Sequence, residues 1–133
     1  MKAPGTAYDD PILGTDPQPS HMRDFVKTAN DDRGVHINCG IPNHAFYRAA
    51  TLLGGRAWEV AGKIWYRALT RELGPRSRFQ HCADATWKAA GELFGAGSEP
   101  QDAVQAGWKD VGIDAARDVF ELPAAGAELP LLL

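Results

Sequence analysis

A chain of 133 residues with 14 basic and 17 acidic side chains, net charge −3, has the size of one domain built around one core. No basic block offers a stripe for nucleic acid or an anionic membrane surface, and no stretch is long and apolar enough to span a bilayer. Two cysteines, Cys39 and Cys82, allow two thiols or one bridge, too few for a disulfide scaffold or a four-ligand zinc cluster, and they leave the compartment open.

The first twenty residues contain Pro4, Pro11, Pro17 and Pro19 with Gly5 and Gly14, a density that predicts an extended, looping arm without regular elements. Lys2, Pro4, Gly5, Asp9 and Asp10 replace the charged start and apolar centre of a signal peptide, so none is expected here. Met22, Phe25 and Val26 can share one face of a short helical turn over residues 20–27. From Pro42 the spacing of Ala45, Phe46, Ala49, Ala50, Leu52 and Leu53 predicts a helix ended by Gly54 and Gly55. A second helix is expected over residues 58–73, its apolar side formed by Ala61, Ile64, Trp65, Ala68 and Leu69 before Gly74 and Pro75. Ser77 followed three residues later by Gln80 reads as a capping box opening a third helix, with Phe79, Ala83, Trp87, Ala90 and Phe94 as its stripe. Ser98 and Gln101 repeat the device around Pro100, and Val104, Trp108 and Val111 carry a fourth helix to Gly112. The fold class is therefore all-α, a bundle of four to five helices with a loop-rich N-terminal arm. Trp58, Trp65, Trp87 and Trp108 read as core or interface anchors. Residues 114–133, broken by Pro123 and Pro130, read as a tail in which Phe120, Leu122 and residues 129–133 can cover an apolar face.

Candidate chemistry is concentrated between the arm and the first long helix, in Asp31-Asp32-Arg33-Gly34-Val35-His36-Ile37-Asn38-Cys39-Gly40-Ile41. A carboxylate five residues before a histidine, across a glycine turn, can fold back to hold one ring nitrogen and leave the other pointing outward. This stretch resembles the Asp-Asn-Gly-Gly-Val-His-x-Asn-Ser-Gly-Ile signature in the helical half of thermolysin-family zinc metalloendopeptidases. The resemblance extends through Gly62-Lys63-Ile64-Trp65-Tyr66-Arg67-Ala68-Leu69-Thr70, Leu93-Phe94-Gly95 and Trp108, covering residues 1–113, while Met1 to Pro11 are similar to the protealysin-like branch. A family arginine that contacts the oxyanion precedes a Ser-Met pair; Met1 matches that methionine, which sets the arginine two residues before this sequence.

The resemblance implies a catalytic role for His36, donating a hydrogen bond to the oxyanion of the tetrahedral intermediate, and an orienting role for Asp31. It also implies zinc bound by the family's other half, through a His-Glu-x-x-His helix and a further glutamate. His21, His36, His44 and His81 are followed by Met, Ile, Ala and Cys, so that motif is absent; no metal ligands and no cofactor are expected in this chain alone, and hydrolysis by its own histidines is set aside. The expected function is the C-terminal half of a metalloendopeptidase, inactive by itself, from a family typically secreted. The alternative is a non-catalytic helical module that pairs with a peptidase half, with itself or with a protease. Either reading expects an apolar surface ready to associate, and a peptide substrate only in a complete enzyme. Three departures bear on the site: Asp32 replaces an asparagine, Arg33 a glycine and Cys39 a serine. If position 33 requires positive φ, arginine there is strained. Cys39 is expected to be a small buried side chain rather than a nucleophile for His36, and His44 and His81 are expected to face solvent.

Overall fold

The computed structural model describes residues 1–115. The apolar cover expected from Phe120, Leu122 and residues 129–133 lies outside that range. The described chain runs from an arm with a small antiparallel hairpin, β1 (Asp9–Asp10) and β2 (Gly14–Thr15), into a short 3-10 turn (Met22–Asp24) and five helices. These are α1 (Asp31–Asn38), α2 (Gly40–Leu53), α3 (Ala61–Arg71), α4 (Phe79–Phe94) and α5 (Glu99–Asp110). The all-α architecture is as expected, and none of these helices is long and apolar enough to cross a membrane.

The hairpin corrects the expectation that prolines exclude regular structure from the arm. Asp10 Oδ1 accepts hydrogen bonds from the backbone N–H groups of Ile12 and Leu13, an Asx turn that reverses the chain with Pro11 at its second position, where proline's fixed φ suits a turn. Asp16 then gathers the arm's base: its carboxylate accepts from the N–H groups of Gly5, Ala7 and Gln18, and these bonds, that from Ala7 foremost, hold its pKa below the usual value.

Both capping boxes form differently from the sequence expectation. Helix α4 is entered through Arg78, whose N–H donates to His81 Nδ1, while Ser77 Oγ accepts from Gly74 and closes the preceding turn. At α5, Ser98 occupies the N-cap, but Gln101 reaches past it to accept from Gly97 N–H and donates to the Trp87 carbonyl of α4. Gln101 is buried against Gly91, where a Cβ would come within 2.5 Å of its amide nitrogen, so helix packing redirects the side chain. Helix α3 starts later than the expected residue 58, because the Gly62 N–H bonds to the Ala57 carbonyl and residues 57–60 form a turn.

Trp108 is the centre of the core. Its indole is fully buried, lies parallel to Trp65 at 6.3 Å, and donates from Nε1 to Thr86 Oγ1 at 2.8 Å. The Thr86 hydroxyl in turn bonds to the carbonyls of Cys82 and Ala83, so a buried polar pair is satisfied inside an apolar cluster of Ile41, Ile64, Val104 and Val111. Trp65 and Trp87 pack against this cluster as partly buried anchors. Trp58 does not: it lies in the turn before α3, exposed beneath the Arg56 guanidinium, and Leu69 of α3 is exposed as well.

Helix α2 packs most extensively on α5. The contact needs Gly107, where a Cβ would lie 2.7 Å from the Ala45 carbonyl oxygen and 3.0 Å from the Ala49 nitrogen. Neither obstacle is a flexible side-chain end. Gly107→Ala is therefore expected to destabilise the fold by about 1–3 kcal/mol through overpacking, read as a lower urea midpoint at unchanged slope.

Candidate functional site

The site begins with backbone geometry. Asp31, Asp32, Arg33 and Gly34 have φ of 53°, 48°, 69° and 78°, one left-handed turn ahead of the right-handed remainder of α1. A left-handed turn costs non-glycine residues roughly 1–2 kcal/mol each, so it persists only where side chains over-determine it. The Asp31 carboxylate supplies that determination. Oδ2 accepts from the N–H groups of His36 at 2.9 Å and Ile37 at 3.0 Å, and Oδ1 meets His36 Nδ1 at 2.6 Å. An ionised carboxylate only accepts, which places the proton of this contact on Nδ1. The His36 ring bond, followed by the Ile37 N–H bond, holds the Asp31 carboxyl below the usual carboxylate range. The His36 side chain is 85% exposed, whereas that of Asp31 is 23% exposed. The imidazole therefore has one fixed edge and one open edge at Nε2.

Three supports were not singled out by sequence reasoning. Asn38, 2% exposed, accepts from the Val26 N–H and donates to the Val26 carbonyl, pairing with that residue as a neighbouring strand would. Gly34 is confined by this clamp, since a Cβ there would sit 2.8 Å from Asn38 Nδ2. Gln18, from the arm, donates to the His36 carbonyl oxygen and Cys39 Sγ. The arm crosses Gly40 so closely that a Cβ would come within 2.5 Å of the Pro19 carbonyl oxygen. Asn38 and Gly40 stand inside the signature and were legible there; Gln18, between two prolines, carried no local signal.

Cys39 is half-buried and its thiol bonds to the His36 carbonyl and the Gln18 amide, not to the imidazole ring. His44, expected at the surface, is half-buried with Nδ1 on the Met1 carbonyl and its ring stacked on Tyr47. His81 is exposed, as expected, and His21 Nδ1 accepts from Arg23 N–H. Among the described residues no group of three or more His, Cys, Asp or Glu could hold a metal ion. The donors among the described residues do not fit zinc, because no three of them come together, whereas a zinc site takes at least three protein ligands.

Fold and site together define a small helical domain that presents a carboxylate-held imidazole from a strained turn. Residues 1–113 match the family described as thermolysin metallopeptidase, alpha-helical domain, and the chain belongs to that family. It is 49% identical over 115 residues to an extracellular metalloprotease of Pectobacterium carotovorum, covering 86% of this chain and 33% of that protein. It is 50% identical over 116 residues to Protease PrtS of a Photorhabdus strain, covering 85% of this chain and 31% of that protein. Among solved structures, the precursor of protealysin, a metalloproteinase from Serratia proteamaculans, matches with a TM-score of 0.80 at 51% identity, covering 84% of this chain and 34% of that one. The chain thus spans about a third of the length of these relatives.

Arg33 lies at φ 69°, so Arg33→Gly is expected to relieve backbone strain and raise stability by up to about 1 kcal/mol, net of glycine's greater freedom when unfolded. Denaturant midpoints of the two proteins measure it. Because the Asp31 pKa is lowered on folding, its contribution is present above the unfolded value of about 4 and is lost as pH falls through the folded value. Asp31→Asn should thus be less stable than the parent at pH 7, with the gap in denaturant midpoint closing as the solution is acidified below pH 4.

Proposed function

We propose that this chain is the C-terminal helical part of a thermolysin-like zinc metalloendopeptidase, in which His36 stabilises the oxyanion formed during peptide-bond hydrolysis and Asp31 is its positioning residue. The observation that carries this reading is the three-bond hold of Asp31 on the backbone and ring of His36, with the Nε2 edge left open. With Nδ1–H committed to the carboxylate, Nε2 donates when the ring is doubly protonated, and the negative oxygen of a tetrahedral intermediate is the partner that such a donor suits. The fixed ring needs little reorganisation as charge develops, which makes the hydrogen bond stronger in the transition state than in the bound substrate.

Zinc and the groups that hold it belong, in this proposal, to the portion of the relatives' length that this chain does not span. The domain consists of residues 1–113, with residues 114–133 as an addition, and it works against a peptidase half as its partner. Alone it does not hydrolyse peptides. The extracellular names of the relatives support a secreted setting. A second reading, a non-catalytic module, draws on the exposed Tyr66, Leu69 and Leu93, which offer apolar surface outside the His36 turn.

A chimaera carrying residues 1–113 in place of the equivalent domain of protealysin tests the role directly. His36→Ala should lower kcat about 10²- to 10³-fold with KM little changed, as removal of an oxyanion donor does. Asp31→Asn should lower kcat by about tenfold or more through loss of ring orientation. Equal kcat with and without the imidazole would remove His36 from the chemistry and leave the module reading.

A further inference from the structure

Asp31 fixes two polar groups of His36, the main-chain N–H and ring Nδ1. A third, the main-chain carbonyl, is held from elsewhere. It accepts from Gln18 Nε2 at 3.0 Å and from the Cys39 thiol at 2.9 Å, and Gln18 Nε2 also lies 3.1 Å from Cys39 Sγ. Amide, thiol and carbonyl thus close a triangle on the far peptide of His36. A thiol is a weak donor, so the amide is the stronger hold on that carbonyl.

We propose that Gln18 is a second positioning residue for His36, fixing the peptide that follows the histidine as Asp31 fixes the one before it. The inference rests on the oxyanion role given to His36 above and extends the site to the N-terminal arm. Asp31 and His36 share one short turn, so their bonds keep the pair together without fixing it to the rest of the domain. Two side-chain ties from outside the turn do that. Asn38 bonds to Val26, and Gln18, 18 residues upstream of the histidine, reaches an atom of His36 itself. An imidazole that is 85% exposed is little constrained by packing, and its aim depends on the backbone from which it hangs.

The arm delivers this amide from a restrained backbone. Pro19 confines Gln18 to extended conformations, and Pro17 fixes its own φ on the other side. The Gln18 N–H is held by Asp16 Oδ1 at 3.1 Å, while Oδ2 of the same carboxylate holds Gly5 and Ala7. Gly40 permits the approach, since a Cβ there would lie 2.5 Å from the Pro19 carbonyl oxygen and 2.9 Å from Gln18 Cβ. Arm, glycine and amide form one device whose end point is the His36 carbonyl.

Gln18→Met keeps a side chain of similar length and removes its donors. In the full chain, the His36 and Ile37 amides, which donate to Asp31, should exchange with solvent about tenfold faster, with α4 and α5 unchanged. In the chimaera described above, the same substitution should lower kcat about three- to tenfold with KM little changed. In a His36→Ala background it should alter kcat by less than about twofold, because its effect passes through the imidazole. Gln18→Glu, which sets an ionised carboxylate against the carbonyl, should lower kcat further than Gln18→Met. An equal loss in both backgrounds, or faster exchange throughout α4 and α5, would give Gln18 a general structural role and overturn the proposal. Parental kcat in Gln18→Met, where His36→Ala remains costly, would overturn it and leave the oxyanion role standing. Parental kcat in His36→Ala would remove that role and this proposal with it.

Discussion

The site depends on one constraint, a carboxylate that closes a left-handed turn. Three of the four residues from Asp31 to Gly34 carry a Cβ and still adopt positive φ, a conformation that the backbone alone resists. Asp31 offsets that resistance by accepting two main-chain N–H groups and the ring of His36 at once. The same contacts therefore shape the turn and aim the imidazole. Loss of the Asp31 carboxylate would loosen both at once, and its hold explains how a side chain so open to solvent can still have a defined direction.

That local device is tied to the body of the domain by short links. Gln18 joins the arm to the His36 carbonyl, and the arm is itself gathered on Asp16. Asn38 ties the turn to Val26, and the neighbouring Met22 donates its N–H to the Val111 carbonyl at the end of α5. Helix α5 packs through Gly107 into α2, whose first residue follows the site by two positions. The path from core to imidazole thus runs through backbone and buried amides, groups with few alternative rotamers.

Much of this was written in local pattern. The helices follow the spacing of apolar residues, and Gly54, Gly95 and Pro100 stand where helix ends and a first turn require them. The Asp31 and His36 pair was visible because its reach spans only five residues. Most of what escaped was non-local. Gln101 looked like half of a capping box, but the α4 surface at Gly91 captures it. Leu69 matched a helical stripe and Trp58 read as an anchor, yet both are exposed, because which positions a neighbouring helix covers is not contained in periodicity. Gln18 acquires its role only because the arm lies over Gly40, and the proline-rich arm hid an Asx-turn hairpin whose signal was a single aspartate.

The Asn38 amide has a chemical vulnerability that follows from using both of its ends. Loss of its nitrogen, by replacement with aspartate or by slow hydrolytic ageing of the side chain, would turn the group facing the Val26 carbonyl from a donor into an acceptor. Two oxygens would then confront each other beside Gly34, in a space too tight to rotate away. The turn would in that case lose its tie to Val26 although no contact of the helical core had changed.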